Sequence, residues 1–202
     1  SKISTKISII KNLSKKMSSI AICGGMANSF IAFNGNEIGA SLAEENVNEE
    51  IEEIYNYSNA NDCQIILPSD ASVAPKLDPD INFAVKKIDG LNSSDMILDI
   101  GPVSTKDLKE VISNSKTVFW NGPPGVFEVE PFNKATIEIA NHIADLTSAG
   151  KIQSFAGGGD TVAAIEMAGV KEKFTYISTG GGALLELLEG KQLPGLVSQN
   201  IL

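Results

Sequence analysis

The chain has 202 residues, of which 43% are apolar and 20% are charged, a composition that supports one folded domain and argues against a disordered protein. Its 16 Lys and Arg residues are outnumbered by 25 Asp and Glu residues, which gives a net charge of −9. Nucleic-acid binding depends on cationic contacts to phosphates, so we expect no nucleic-acid partner.

No apolar run approaches the ~20 residues of a membrane span, and no signal peptide opens the chain. We therefore expect a cytoplasmic protein without membrane contact. Cys23 and Cys63 lie in apolar, strand-like runs and lack the spacing of metal ligands. They are predicted to be reduced thiols of the core.

Short apolar runs alternate with longer amphipathic runs along the chain. In order, the pattern predicts a strand at 20–23, a helix to about 33, a helix at 48–60, strands at 64–67 and 96–100, a helix at 104–114, a strand at 117–120, a helix at 132–146, a strand at 152–156, a helix at 160–168, a strand at 176–178 and a helix at 183–188. The less regular stretch 69–94 predicts a small ribbon at one edge of the sheet. Strands alternating with helices predict a doubly wound α/β fold: a mostly parallel sheet with helices on both faces, as in a Rossmann-like three-layer sandwich.

Glycine clusters follow four of the predicted strands directly. They are Gly24-Gly25, Gly122 with Gly125, Gly157-Gly158-Gly159 and Gly180-Gly181-Gly182. The carboxyl ends of parallel strands meet at one edge of a sheet, where open α/β sheets bind ligands. Each following helix offers unpaired N–H groups to an anion. A single tight turn uses glycine without any ligand, but the set favours phosphate or nucleotide binding, although neither GxGxxG nor GxxxxGK[ST] occurs.

Asp160 follows the third cluster and is predicted to be the N-cap residue of the next helix. Beside bound phosphates the same carboxylate can hold Mg²⁺. Capping alone would explain an aspartate at this position, so both interpretations stay open. Lys2 and Lys6 are four residues apart and share one helix face, a spacing that by itself indicates only solvated surface charge.

Three segments resemble the phosphoglycerate kinase family. Residues 118–128, VFWNGPPGVFE, are similar to its VxWNGPxGVFE segment, residues 157–161 to its GGGDT turn, and residues 178–195 to its STGGGAxLExLEGKxLPG close. The resemblance covers essentially the whole chain in order. It implies a nucleotide-binding, carboxyl-terminal lobe at 1–195 and a tail at 196–202. The amino-terminal lobe, which binds 3-phosphoglycerate in the family, is absent from this chain.

The resemblance also implies roles for individual residues. Lys2 and Lys6 reach the transferring phosphoryl group and the nucleotide phosphates, and Glu128 holds the ribose hydroxyls. Asp160 is the Mg²⁺-linked aspartate. The implied nucleotide-binding residues are Lys2, Lys6, Gly24, Gly25, Ile97, Asn121, Pro123, Gly125, Glu128, Gly157, Gly158, Gly159, Asp160 and Thr161, and the Gly180–Gly182 turn lines the same path. The implied catalytic residues are Lys2, Lys6, Gly158 and Gly181.

Three positions depart from the family pattern. Cys23 replaces the first glycine of GGGMA, Ile97 stands where a glycine often lies beside the adenine, and Leu184 replaces a serine after the last glycine turn.

The resemblance implies that the chain binds MgADP or MgATP as half of an enzyme that transfers a phosphoryl group between 1,3-bisphosphoglycerate and ADP in glycolysis. We expect a monomer that does not turn over alone, since 3-phosphoglycerate would enter only through the missing lobe. Two alternatives remain. A nicotinamide-dependent oxidoreductase domain shares the doubly wound pattern but needs a GxGxxG fingerprint. A non-catalytic binding module would fit the departures at Cys23, Ile97 and Leu184.

Overall fold

The computed structural model describes residues 3–178. Lys2, the Gly180–Gly182 turn, the helix predicted at 183–188 and the tail lie outside that range. Within it, the helices are α1 (Ile3–Ser14), α2 (Gly24–Phe33), α3 (Asn48–Ala60), α4 (Pro102–Ser113), α5 (Lys134–Ser148) and α6 (Gly159–Met167). The strands are β1 (Ser19–Ala21), β2 (Gln64–Ile66), β3 (Asp70–Ala74), β4 (Ala84–Lys87), β5 (Met96–Ile100), β6 (Thr117–Trp120), β7 (Gln153–Gly157) and β8 (Tyr176–Ser178). None of these helices has the length and apolar character needed to cross a bilayer.

Parallel strands flanked by helices form most of the framework, as the sequence predicts. β1 pairs in parallel with β2, with Ile20 opposite Ile65. β6, β7 and β8 form a second parallel sheet in that order. Parallel pairing requires a crossover connection between strands, and the helices between these strands supply it. The α/β fold class is confirmed.

The middle of the chain departs from the prediction. The stretch predicted as a ribbon is a hairpin of β3 and β4, and β3 also pairs antiparallel with β5. Met96–Ile100 is a strand, as predicted, but its described pairing is antiparallel in a fold predicted to be mostly parallel. An apolar run can pair in a parallel or an antiparallel direction with the same side chains buried. The direction of β5 is therefore set by the chain reversals on both sides of it and not by its own residues.

Two apolar clusters fill the spaces between helices and strands. One joins α1, α2 and α3 to β3 through residues such as Ile3, Phe30 and Ile54. The other joins α4, α5 and α6 to β5 and β6 through residues such as Ile143 and Ile165. The five side chains are 0–1% exposed. Burial of this order contributes about 1.5–3 kcal/mol for each large apolar side chain.

The start of α4 is bonded to β3. The Asp70 carboxylate accepts the N–H groups of Val103 and Ser104 at 3.0 Å and 2.8 Å. The Ser104 hydroxyl donates to the same carboxylate at 2.6 Å. A Cβ atom on Gly101 would overlap the Asp70 carboxylate. Glycine at this position therefore lets a side chain from β3 satisfy the first turn of α4.

Candidate functional site

Three of the four glycine clusters meet around the loop that follows β6. A Cβ atom built on Gly24, where φ is +61°, would lie 3.6 Å from the carbonyl oxygen of Pro123. A Cβ atom built on Gly158, where φ is +99°, would lie 2.9 Å from Nδ2 of Asn121. The turns after β1, β6 and β7 therefore lie at one edge, as predicted, and the fourth cluster lies outside the described residues.

Asn121 joins two of the predicted site segments. Lys6 Nζ donates to its Oδ1 at 3.0 Å, and its Nδ2 donates to the carbonyl oxygen of Gly157 at 2.6 Å. Lys6 comes from α1 and Gly157 from the end of β7. The structure thus brings one of the two predicted lysines to the GGGDT turn through a single side chain.

Gly122 is held through both of its backbone polar groups. Its N–H donates to Thr161 Oγ1 at 2.7 Å, and its carbonyl oxygen accepts from Trp120 Nε1 at 2.8 Å. Thr161 is 0% exposed. The Thr161 hydroxyl therefore binds the loop after β6 from the buried side.

The start of α6 differs from the prediction for Asp160. The N-cap residue is Gly158, and Asp160 is the second residue of the helix, exposed and without a capping hydrogen bond. The prediction of Asp160 as N-cap is wrong, because Gly158 adopts a positive φ beside the Asn121 side chain and takes that position. The first-turn N–H groups of α6 have no partner within the helix. They form the positive end of its dipole, next to the Asp160 carboxylate.

A segment missing from the sequence predictions lies beside Gly25 and Ile97. The backbone N–H of Ile97 donates to Ser41 Oγ at 2.9 Å, and Asn28 Nδ2 donates to the Leu42 carbonyl oxygen at 2.9 Å. Leu42 is 82% exposed. A Cβ atom on Gly25 would lie 3.9 Å from the Leu42 carbonyl oxygen. In the sequence, Leu42 is only an apolar residue in a polar loop. It belongs to no periodic pattern, so the sequence gives no reason to single it out.

The turn before β5 holds this segment in place. The N–H of Ala40 donates to the Asp95 carbonyl oxygen at 2.7 Å. A Cβ atom on Gly39, where φ is +57°, would overlap the same oxygen. The Asp95 carboxylate is paired with Lys86 at 2.8 Å. The position of Leu42 therefore depends on a close backbone contact that only glycine allows.

A buried carboxylate lies beneath Gly125. Asp99 is 2% exposed, and its carboxylate accepts the N–H groups of Ala135 at 3.0 Å and Ile100 at 2.9 Å. Burial raises the pKa of Asp99 to about 7, against the lowering effect of these two hydrogen bonds. A Cβ atom on Gly125 would overlap the carboxylate.

The Cys23 thiol lies near this carboxylate. Desolvation, and secondarily the charge of Asp99, raise the pKa of the Cys23 thiol to about 12, so Cys23 stays protonated.

Glu128 stands apart from these contacts. It is exposed on the turn between Val126 and Val129, which is fixed by the Val126 N–H donating to the Leu98 carbonyl oxygen at 2.8 Å. Among residues 3–178, no hydrogen bond joins Glu128 to Lys6 or Asn121. The predicted ribose contact stays a prediction.

An open groove lies away from the glycine turns. It encloses about 440 Å³, and its lining includes Asn34, Asn36 and Lys87. Asp70, also in its lining, already bonds to the start of α4. The candidate site is the edge at the glycine turns, where Lys6 and the first-turn N–H groups of α6 converge.

Comparison with known proteins identifies the family of this chain. The sequence model of phosphoglycerate kinase matches residues 1–191. The chain belongs to the phosphoglycerate kinase family. The phosphoglycerate kinase of Caulobacter vibrioides is 46% identical over 198 residues, which are 98% of this chain and 50% of that protein. That of Agrobacterium fabrum is 46% identical over 195 residues, 96% of this chain and 49% of that protein.

Solved phosphoglycerate kinases share the fold. The structure from Coxiella burnetii has a TM-score of 0.88 at 36% identity and covers 94% of this chain and 48% of that chain. The structure from Pyrococcus horikoshii OT3 has a TM-score of 0.75 at 27% identity and covers 100% of this chain and 50% of that chain. This chain therefore spans about half the length of its relatives, and the matched half is the carboxyl-terminal one. Family membership favours the kinase interpretation over the nicotinamide-dependent one.

Proposed function

We propose that this chain binds MgADP or MgATP at the edge formed by the loop after β6 and the start of α6. The contact that carries the proposal is the one from Lys6 Nζ to Asn121, which brings an ammonium group to the GGGDT turn. Helix N-termini bind anions because their N–H groups are unpaired and their dipole is positive at that end. A cation added there favours phosphate on a chain whose net charge is −9.

Asp160 fits a magnesium ion that arrives with the nucleotide. Because Asp160 does not cap α6, capping no longer accounts for an aspartate at this position. Residues 3–178 contain no group of three or more residues that could hold a metal by themselves. Mg²⁺ is commonly held by one or two carboxylates together with substrate phosphates, which matches a single exposed carboxylate here. The ion would neutralise charge on the phosphates when it is bound.

The adenosine part of the nucleotide belongs at the other end of the same edge. We place the base against Gly25, Ile97 and the exposed Leu42 side chain. The Leu42 backbone is anchored there, because Asn28 donates to its carbonyl oxygen and the neighbouring Ser41 accepts from the Ile97 N–H. Glu128 is exposed and free to accept hydrogen bonds from the ribose hydroxyls. Pro123 and Gly125 lie between the two ends.

The catalytic roles rest on phosphoryl-transfer chemistry. Such transfer depends on positioning and on stabilising charge on the moving phosphoryl group. Lys6 and the Gly158 N–H group at the α6 N-terminus supply positive charge for it. Lys2 and Gly181, assigned by resemblance, lie outside the described residues. We propose residues 1–195 as the nucleotide domain of a monomer, with a tail at 196–202.

The acceptor for the phosphoryl group would come from the other half of the enzyme. In this proposal the whole enzyme moves a phosphoryl group between 1,3-bisphosphoglycerate and ADP, and a separate lobe binds 3-phosphoglycerate. The isolated chain then binds nucleotide without turnover. A coupled assay on the pure chain should detect no steady formation of ATP from 1,3-bisphosphoglycerate and ADP. Steady turnover would contradict the assignment of the acceptor to another lobe.

Calorimetric titration tests the proposal directly. We expect the chain to bind MgADP and MgATP but not NADH. Lys6→Met should weaken MgADP binding by about tenfold or more, the loss of one charged hydrogen bond. Lys16→Met is the matched control, since Lys16 is exposed and follows α1 without a side-chain contact to the loop. Binding of NADH in place of MgADP, or equal effects of both variants, would overturn the proposal.

A further inference from the structure

The loop residue Gly122 is fixed by hydrogen bonds rather than by packing. A Cβ atom built on it would meet no atom of residues 3–178 within 4 Å. Its φ of +97° lies in the region that other residues rarely adopt. Its N–H is bonded to Thr161 and its carbonyl oxygen to Trp120. Since no described side chain packs against this position, these two bonds are the contacts that hold the loop here within residues 3–178.

The two bonds connect separate parts of the site. Trp120 ends β6, and Thr161 lies in the first turn of α6. Thr161 is 0% exposed, and its hydroxyl faces the loop and not solvent. The neighbouring residue, Asn121, carries the contacts to Lys6 and Gly157. Any shift of Gly122 would therefore move Asn121 and its two partners.

We propose that Thr161 is a positioning residue whose hydroxyl, together with the Trp120 indole, clamps Gly122 and sets the nucleotide-binding shape of the loop before nucleotide arrives. The inference rests on the proposed nucleotide function. In it the Thr161 hydroxyl acts through Gly122 and Asn121, in place of the direct nucleotide contact that the resemblance implies for Thr161. A loop ordered in advance lowers the entropy cost of binding.

Valine and serine replacements separate the roles of the hydroxyl. Thr161→Val keeps the branched shape and removes the acceptor, whereas Thr161→Ser keeps the hydroxyl. Thr136→Val is the matched control, because Thr136 is also 0% exposed but its hydroxyl has no hydrogen-bond partner. Hydrogen exchange of the Gly122 amide and the emission of Trp120, the single tryptophan of the chain, report the loop without nucleotide.

We expect Thr161→Val to speed exchange of the Gly122 amide, to shift Trp120 emission in the free protein, and to weaken ADP and MgADP binding alike by about five- to tenfold. Thr161→Ser and Thr136→Val should leave all three readouts near those of the wild type. Weakened binding with an unchanged free-state loop would overturn the proposal in favour of a direct phosphate contact. Unchanged exchange and unchanged binding would overturn it altogether.

Two further measurements test the clamp if Thr161→Val does not fold or if the wild type binds no nucleotide. If Thr161→Val does not fold, Trp120→Phe removes the other half of the clamp, and Gly122 exchange and ADP affinity should change in the same direction. No change in either would overturn the proposal. If the wild type binds no nucleotide, the proposed function fails, while the free-state exchange of Gly122 still decides whether the clamp exists.

Discussion

The loop at Asn121–Gly122 and the segment at Ser41–Leu42 border the same proposed site but are held in different ways. Four hydrogen bonds of 2.6–3.0 Å fix the side chain of Asn121 and both backbone groups of Gly122. At the other segment the backbone is anchored, but the Leu42 side chain is 82% exposed. One end presents fixed dipoles, and the other presents apolar surface.

The two ends of the proposed site suit different parts of a nucleotide. A phosphate gains from donors that are already oriented, and their geometry tolerates little change. A base gains from buried apolar area, which several side chains can supply. Ile97, one of the departures, lies beside the Ser41–Leu42 segment, whereas Asn121 and Asp160 belong to the motifs that carry the resemblance. Substitutions should therefore act differently at the two ends.

The largest effect on the free energy of unfolding is expected at Asp99, whose carboxylate lies against Gly125 in the loop after β6. Its pKa is raised from 3.8 to about 7 in the fold, so the native state holds this proton while the unfolded chain releases it. The free energy of unfolding of the wild type, relative to Asp99→Asn, should fall from about pH 4 to about pH 7 and then level off. At about 1.4 kcal/mol per pKa unit, the fall can reach about 4 kcal/mol.

Urea unfolding of both proteins across this pH range measures the Asp99 effect. A difference that stays constant between pH 4 and pH 8 would show that Asp99 is ionised in the fold.

The next largest effect should follow Gly158→Ala, which strikes the hydrogen-bonded end. The new Cβ atom would lie 2.9 Å from Asn121 Nδ2 at a φ of +99°. We expect a stability loss of about 1–3 kcal/mol from the strained backbone, and a loss of MgADP affinity of more than about tenfold as Asn121 moves. Gly150→Ala is the control, since its φ is +67° and its Cβ would meet nothing within 4 Å. Gly150→Ala should lose stability but keep its affinity for MgADP. If both variants lost affinity equally, the position of Asn121 would not matter for binding.

Two carboxylates should fail in different ways. Asp160→Asn should weaken MgADP binding by about tenfold and leave metal-free ADP nearly unchanged, because the lost charge acts through the ion. Glu128→Gln should weaken ADP and MgADP alike, because ribose hydrogen bonds do not involve the metal. Calorimetry with and without magnesium separates the two. Equal, metal-independent losses would exclude a magnesium role for Asp160.

The smallest effect is expected at the apolar end. Leu42→Ala removes a side chain that is 82% exposed, so stability should change by less than about 0.5 kcal/mol. Affinity for ADP should fall by about two- to fivefold, at about 25 cal/mol per Å² of lost contact, while affinity for pyrophosphate stays the same. Leu77→Ala, on the hairpin side of the molecule and 47% exposed, is the control. If Leu42→Ala also lost affinity for pyrophosphate, the apolar end would not be specific for the base, and the two ends would not act separately.

Local periodicity was sufficient for most elements of the fold. The helix predicted at 48–60 and the strand predicted at 117–120 have the predicted bounds in the structure. These segments carry their own burial pattern, so neighbours in the sequence decide their structure. The direction of β5 depends on strand pairing with β3, which no local pattern records.

The sequence predicted those parts of the site where another segment packs directly against a glycine. Glycines 24, 125 and 158 lie against backbone or side chains of other segments, and their residue type reveals this. Asp160 was misassigned as a cap because the N-cap position at Gly158 is set by Asn121, a residue distant in sequence. Leu42 was missed because its place beside Ile97 depends on two hydrogen bonds between distant residues, one that Asn28 donates to Leu42 and one that Ser41 accepts from Ile97.

The bond between Asp70 and the start of α4 has a consequence for the order of folding. Asp70 is 33 residues ahead of Val103, the nearer of the two amides that it accepts. The first turn of α4 therefore lacks its partner until that long loop has closed, an entropy cost that local helix contacts do not offset. The β3 hairpin and the start of α4 should open and close as one cooperative unit. In native-state hydrogen exchange, the Val103 and Ser104 amides would report the docking of the hairpin rather than fraying of the helix.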